Sequence, residues 1–244
     1  MDYNIPVPEG FKFIDTLPAN DQGNESRVAI IKNTAENKDY IVKSFDSASD
    51  VERDIFAELY FHDFDGCANV SKLHLATYVN AETSYAIKEK FNKLQCFYEF
   101  RTSDKDKSNY ARQIAEVLCF ARYPSKNKAA LLEAYKNHVF RDGYEFLDET
   151  RETSIVYHDF YNEAGDIIET EKTTIGVTIG DIKKSNLMID SKNKLCIFDF
   201  GYTQIEKSHY DLLHTWNMFS NGMKCLLLKH YKEIYYKKYK NRPR

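Results

Sequence analysis

Alternating apolar and polar positions dominate the first third of the chain. Short runs rich in β-branched and aromatic residues, separated by polar turns, predict strands over Phe11–Leu17, Arg27–Lys32 and Asp39–Phe45. From Ser49 to Phe64 the apolar positions recur every three or four residues, which predicts an amphipathic helix. A further strand is predicted at Ser84–Phe91. This part of the chain is therefore expected to form an antiparallel sheet with one helix.

The remainder of the chain is predicted to be mainly helical. Helical periodicity returns at Lys107–Ala121 and again at Met223–Tyr239. Between these helices, two β-rich runs at Ser154–Tyr161 and Ile167–Thr174 flank a short polar segment and predict a β-hairpin.

A second, shorter hairpin carries the most informative polar residues. Leu187–Ile189 and Leu195–Phe198 are apolar runs joined by a polar turn, so their outer ends should bring Asn186 and Asp199 side by side. Asp181 precedes Asn186 by five positions. One base and two oxygen ligands for a hard cation, converging on one spot, are what phosphoryl transfer needs.

The spacing of these residues resembles a known family. An Asp, a Lys two positions later, an Asn five positions later and then Asp-Phe-Gly (here Asp181, Lys183, Asn186 and Asp199–Gly201) resemble the catalytic and metal-binding loops of the protein kinase-like superfamily. That superfamily includes protein kinases and the antibiotic, choline and sugar phosphotransferases. The resemblance implies a bilobal α+β fold, with an N-lobe of antiparallel sheet plus one helix over residues 1–91. It also implies a mainly helical C-lobe over residues 92–244, in which the first hairpin is an insertion.

The resemblance also implies a role for each of these residues. Asp181 would accept or orient the proton of an acceptor hydroxyl, and Lys183 would neutralise charge on the transferred group. Asn186 and Asp199 would hold the Mg²⁺ that bridges the phosphates of ATP.

Lys43 interrupts the apolar middle of the third predicted strand. Taken alone, it fits an exposed residue on the polar face of a strand. The resemblance implies instead that its charge holds the α- and β-phosphates, with an acidic partner on the following helix. Glu52 falls within the apolar stripe of that helix and is the favoured partner. A capping box, in which Glu52 returns to Ser49, and a partnership with Glu58 are the alternatives.

Two further nucleotide contacts follow from the resemblance. Gly23 lies between the first two strands, where protein kinases have three glycines, and its small polar neighbours can still offer N–H groups to phosphates. Backbone groups around Glu89 and Phe91 would bind the adenine edge. A strand that simply lies next to the core explains that last segment equally well.

The acceptor is constrained by what surrounds the catalytic pattern. Gly180 precedes Asp181, and no Ala-Pro-Glu follows Gly201, which favours a small molecule, sugar or glycolipid over a peptide. The layout is similar to bacterial lipopolysaccharide-core sugar kinases. The alternatives are a minimal Ser/Thr kinase of the kind some bacteria deliver into hosts, a pseudokinase scaffold that binds nucleotide without transfer, and a nucleotidyl transferase.

Composition adds little to this hypothesis. The net charge is −3, but the segment from Lys224 to Arg244 is basic, which fits either a solvated helix end or a docking face for an anionic surface. Neither a signal peptide nor a membrane span is predicted, and no nucleic-acid partner is expected. The five cysteines lack disulfide or zinc spacing. A cytoplasmic protein is therefore expected, or one delivered to a host cytosol if it is an effector.

Overall fold

The computed structural model describes most of the chain in segments. These are residues 5, 7–17, 26–45, 48–77, 85–92, 94–97, 99–122, 128–132, 134, 157–161, 167–172, 175–179, 182, 186–199, 203–207 and 219–239. The strands within them are β1 (Phe11–Thr16), β2 (Ser26–Asn33), β3 (Lys38–Phe45), β4 (Asn69–Val70), β5 (Leu73–Thr77), β6 (Tyr85–Glu89), β7 (Gln95–Cys96), β8 (Tyr157–Tyr161), β9 (Ile167–Lys172), β10 (Ile175–Thr178), β11 (Leu187–Ile189), β12 (Leu195–Ile197) and β13 (Gln204–Lys207). The α-helices are α1 (Ala48–Phe61), α2 (Asp104–Arg122) and α3 (Asn221–Ile234).

The N-terminal part is a five-stranded antiparallel sheet in the order β1-β2-β3-β6-β5. Its buried face alternates along the strands as the sequence pattern predicts, so Ala29, Ile31 and Val42 are fully buried. Strand β3 is paired on both sides, with Lys43 opposite Val28 of β2 and Ala86 of β6. Lys43 therefore projects from a central, well-braced strand.

Helix α1 is packed between this sheet and α2. On one side, Val51 shares a small apolar cluster with Phe45 and Ala86 of the sheet. On the other, Phe56 and Phe61 belong to the main apolar core that includes α2. The Tyr60 hydroxyl donates a 2.9 Å hydrogen bond to the carbonyl of Ala121, near the end of α2. Two neighbours thus decide which positions of α1 are buried.

A small sheet joins the N-terminal part to the second hairpin. Its order is β4-β12-β11-β7, with β4 parallel to β12 and the other pairs antiparallel. Leu187 on β11 and Leu195 on β12 are fully buried in the main core. The hairpin predicted from the sequence is therefore present, paired with a further strand on each side and packed into the main core.

The C-terminal region is built on the packing of α3 against α2. Leu227 and Tyr231 of α3 are buried in the main core, and the Tyr231 hydroxyl accepts a 2.8 Å hydrogen bond from the Arg122 guanidinium. A π-helical turn, Tyr235–Tyr239, continues α3. The apolar stripe of this helix is accordingly a packing face, and its lysines at 237 and 238 are exposed.

The hairpin predicted ahead of the catalytic pattern is also present. Strands β8 and β9 pair antiparallel, with Tyr157 opposite Lys172. In the described part of the chain, no helix is both long enough and apolar enough to cross a membrane. An antiparallel N-terminal sheet with one helix, followed by a helical C-terminal region, is the α+β architecture predicted from the sequence.

Candidate active site

An ion pair joins the N-terminal sheet to the second hairpin. Lys43 Nζ lies 2.8 Å from Asp199 Oδ1, although the two residues are 156 positions apart in the sequence. The Lys43 side chain is only 12% exposed, whereas that of Asp199 is 36% exposed. The pair therefore lies at the border between the protein interior and solvent, where a ligand can reach it.

The backbone around Asp199 holds its carboxylate in this position. Asp199 follows β12 by two residues and has a φ of 69°, in the left-handed region that side chains other than glycine seldom adopt. The Phe198 N–H donates to the carbonyl of Asn186 at 3.4 Å and so extends the pairing of β11 and β12. Asn186 therefore lies across the hairpin from the residue before Asp199, and it is buried, at 6% exposure. Local pairing thus brings the two expected metal ligands to the same end of the hairpin.

An acid on α1 that approaches Lys43 is Asp54, which the sequence analysis did not single out. Asp54 Oδ1 lies 3.7 Å from Lys43 Nζ, and the Asp54 side chain is fully buried. Glu52 is only partly buried. Of the apolar positions behind the prediction of Glu52, Val51 and Phe56 are fully buried but Leu59 is 37% exposed. The buried face of α1 also carries the acids Asp54 and Glu58, and Glu52 as the partner of Lys43 stays a prediction.

A buried lysine explains how two acids can occupy that face. Lys88 Nζ on β6 lies 2.5 Å from Asp54 Oδ2 and 2.8 Å from Glu58 Oε1. The exposed fraction of its side chain is 7%, and that of both carboxylates is 0%. Glu58, the alternative partner of Lys43 in the sequence analysis, is therefore paired with Lys88. A buried charge needs such a partner to be tolerated.

Burial and charge act against each other on these groups. Burial raises the pKa of Glu58 above its ordinary value, and the nearby Asp54 raises it further, while Lys88 lowers it only in part. For Lys88, burial lowers the pKa, but Asp54 and Glu58 outweigh burial and raise it above the ordinary value for lysine. Lys88 therefore remains a cation at any pH at which the protein works.

Sequence reasoning missed Asp54 and Lys88. The available signals were a lysine directly after two buried residues in β6, Ala86 and Ile87, and two acids one helical turn apart in α1, at Asp54 and Glu58. Side chains four positions apart on a helix lie on the same face, so one cation can serve both. Neither signal alone distinguishes a buried ion cluster from solvated surface charges.

Of the other predicted nucleotide contacts, the structure describes Glu89 and Phe91 but not Gly23. Glu89 ends β6; its N–H donates to the carbonyl of Lys72 at 3.0 Å, and its carboxylate pairs with Lys38 at 3.1 Å. Phe91 is partly buried two residues further along. Gly23, Asp181 and Lys183 lie outside the described residues, although Ile179 and Ile182 on either side of Asp181 are both buried.

The donor set at the open end of the hairpin suits a hard cation. The Asp199 carboxylate and the Asn186 amide supply oxygen ligands of the kind Mg²⁺ prefers, and Asp199 is accessible to solvent. Among the described residues, no three His, Cys, Asp or Glu side chains gather into a metal site formed by protein ligands alone. These two side chains fit a metal that takes most of its ligands from water and phosphate.

Comparison with known proteins supports the fold. No protein-family model matches the chain, and no curated protein is similar to it. Its fold is similar to that of the aminoglycoside phosphotransferase APH(2")-IIIa in complex with GDP and kanamycin, with a TM-score of 0.54 and 15% identity over 95% of this chain and 79% of that chain. The kinase PK-1 of Cydia pomonella granulovirus matches with a TM-score of 0.47 and 15% identity, over 80% of this chain but only 55% of that chain.

The likeness to the aminoglycoside phosphotransferase defines the class of fold. The chain has a bilobal, kinase-like α+β fold, as the sequence predicts. At this level of identity the fold alone is shown.

Proposed function

We propose that this chain is an ATP- and magnesium-dependent phosphotransferase that moves the γ-phosphate of ATP to a hydroxyl group. The observation that carries this proposal is the 2.8 Å ion pair between Lys43 and Asp199, formed at the solvent-accessible end of the hairpin that also holds Asn186. This supports a site at which Lys43 would bind the phosphates, and Asn186 and Asp199 would supply oxygen ligands to a metal.

Lys43 supplies the positive charge for the α- and β-phosphates. Without nucleotide this charge is balanced by Asp199 at 2.8 Å and Asp54 at 3.7 Å. Because its side chain is 12% exposed, the ammonium group acts in a medium where a phosphate interaction is stronger than in water. Asn186 and Asp199 would hold Mg²⁺, which when bound neutralises charge on the phosphate oxygens.

Asp181 and Lys183 complete the proposed machinery on the strength of their spacing. The acceptor oxygen forms a bond to the γ-phosphorus as the bond from that phosphorus to the β–γ bridging oxygen breaks, and ADP leaves. The Asp181 carboxylate orients the acceptor hydroxyl and receives its proton, while Lys183 neutralises charge on the transferred group. We place these groups in a C-lobe of residues 92–244 and the nucleotide clamp in an N-lobe of residues 1–91, with Gly23, Glu89 and Phe91 as further nucleotide contacts.

We propose a small molecule, sugar or glycolipid as the acceptor. Gly180 before Asp181 and the lack of an Ala-Pro-Glu motif after Gly201 support this choice. A protein hydroxyl, as for a minimal Ser/Thr kinase, is the second candidate. The five cysteines are all free, which agrees with the cytosolic location that we propose.

The test of this proposal is to follow γ-labelled ATP in a fractionated cell extract. We expect label in a sugar or lipid fraction, dependent on Mg²⁺ and lost in Asp181→Ala. The matched control is Asp190→Asn, which changes a carboxylate at the closed end of the same hairpin and should keep the transfer.

Other outcomes would replace the proposal or restrict it. ATP binding without label in any fraction would indicate a pseudokinase scaffold. Protein labelled from α-labelled ATP, with release of pyrophosphate, would indicate nucleotidyl transfer. Label found only in protein would keep the phosphotransferase and replace the acceptor.

A further inference from the structure

The buried cluster beneath the candidate active site joins three chain segments. Lys88 on β6 lies between two carboxylates of α1, 2.5 Å from Asp54 and 2.8 Å from Glu58. Asp54 in turn approaches Lys43 on β3. All but Lys43 are almost completely shielded from solvent, so their mutual positions are set by one another and not by water.

Stability alone does not account for this cluster. Removing charges from water costs more than their attraction commonly returns, and well-packed apolar side chains in such positions often give an equal or more stable protein. A buried ion cluster can instead serve to fix the position of a neighbouring group. Here that group is Lys43, the residue that links the cluster to Asp199 and to solvent.

The two oxygens of Asp54 divide between the two lysines. Oδ2 lies 2.5 Å from Lys88, whereas Oδ1 lies 3.7 Å from Lys43. The close contact with Lys88 therefore sets the orientation of the carboxylate, and the longer contact presents the second oxygen to Lys43. Lys88 also contacts Glu58 at 2.8 Å, so one cation is shared between two carboxylates of α1.

We propose that Lys88 is a positioning residue for Lys43. It holds the Asp54 carboxylate so that Oδ1 directs the Lys43 ammonium group toward the phosphates of bound ATP. This proposal rests on the proposed function, because Lys43 must contact nucleotide for its position to matter.

A double-mutant cycle on ATP affinity tests the proposal. Dissociation constants for a fluorescent ATP analogue with Mg²⁺ are measured for the wild type, Lys88→Met, Lys43→Ala and the double variant. We expect Lys88→Met to weaken binding about 10-fold in the wild-type background and by less than about 2-fold once Lys43 is absent, because contacting or linked residues give non-additive effects. A purely structural role would weaken binding by the same factor in both backgrounds.

The control is the same substitution on another strand of the same sheet. Lys32 on β2 pairs with Asp39 at 3.7 Å and is 36% exposed, so Lys32→Met should leave ATP affinity within about 2-fold of the wild type.

A second background keeps the test decisive if Lys88→Met does not fold. Lys88→Met removes the cation that two buried carboxylates share, which is strongly destabilising. Combining Lys88→Met with Glu58→Gln removes one charge of each sign. The cycle is then repeated with Glu58→Gln present in all four proteins, so that the Glu58→Gln variant takes the place of the wild type.

Two failures are distinguishable in this design. If the wild type binds no ATP, the proposed function is overturned and this inference with it. If the wild type binds ATP and the effects of Lys88 and Lys43 are additive, only the inference is overturned.

Discussion

The two ends of the β11–β12 hairpin use the same residue types for different purposes. At the closed end, Asp190 Oδ1 accepts hydrogen bonds from the backbone N–H groups of Lys192 and Lys194 at 2.8 and 2.9 Å, and Asn193 has a φ of 61°. At the open end, Asp199 has a φ of 69° and its carboxylate pairs with Lys43. Each end thus has a left-handed Asp or Asn and a carboxylate: Asn193 and Asp190 at the closed end, and Asp199 in both roles at the open end.

The partners of the two carboxylates distinguish structure from function. Asp190 bonds to its own turn and, through Oδ2, to the Asn69 amide at 2.9 Å, so neutral donors of fixed position satisfy it. Burial raises its pKa, but these hydrogen bonds outweigh burial and lower it overall. Asp199 instead contacts a charged side-chain group, the ammonium of Lys43, which belongs to the N-terminal sheet. A charged partner that a ligand can displace is what the proposed function requires of the open end.

The largest effect is expected from Asp199→Asn. Loss of the carboxylate removes a proposed metal ligand and the close partner of Lys43, so we expect kcat to fall by about 10³-fold or more, whereas stability should change little because the side chain is partly exposed. Steady-state kinetics and thermal unfolding measure the two quantities. Phosphoryl transfer within 10-fold of the wild type, a limit of about 1.4 kcal/mol, would remove Asp199 from the site.

The same substitution at the closed end should give the opposite result. Asp190→Asn replaces an acceptor with an amide that faces the Asn69 amide, so we expect a loss of about 2 kcal/mol in the free energy of unfolding, with unchanged kinetics. Urea unfolding monitored by tryptophan fluorescence measures the loss. A reduced kcat in a stably folded Asp190→Asn variant would contradict the assignment of a purely structural role to the closed end.

Glu58 allows a test of the buried cluster through pH. Because its folded pKa is raised, mainly by burial, it stabilises the folded state below the unfolded pKa, and this contribution is lost as pH rises through the folded pKa. Relative to Glu58→Gln, the wild type should therefore lose stability above about pH 4.3, by at most about 1.4 kcal/mol per pH unit. Thermal unfolding over pH 4 to about 8 measures the difference, and a constant difference would contradict it.

Asp190 should respond to pH in the other direction, with the smallest effect. Its folded pKa is lowered, so its contribution is complete above the unfolded pKa of about 3.9 and is lost as pH falls through the folded pKa. The stability difference between the wild type and Asp190→Asn should therefore shrink to about 0.5 kcal/mol or less in acid. Urea unfolding at neutral and acidic pH tests this, and a difference that grows in acid would contradict it.

Much of the site could be predicted because its parts are local. Strand β3, the hairpin and the positions of Lys43, Asn186 and Asp199 follow from apolar alternation and from one tight turn, which depend on neighbouring residues. The convergence of Lys43 with Asp199 across 156 positions was expected from a resemblance of spacing, since no local rule connects two residues so far apart.

The approach of Asp54 to Lys43 could not be predicted in the same way. A helical stripe of apolar residues indicates a buried face when a helix has one neighbour. Helix α1 has two, the sheet and α2, and its acids at 54 and 58 are buried against Lys88 while Leu59 is exposed. The pattern alone therefore selected Glu52.

By itself, the sequence determined the strands, the helices and the hairpin, because periodicity and turn chemistry act over a few residues. It also supplied the candidate groups for phosphoryl transfer, through a spacing that resembles a known family. Only the tertiary structure decided that Asp54 approaches Lys43 and how the charges of α1 are balanced. Those choices depend on Lys88, which lies on strand β6 and contacts two acids of α1. They also depend on how completely packing buries each charged side chain.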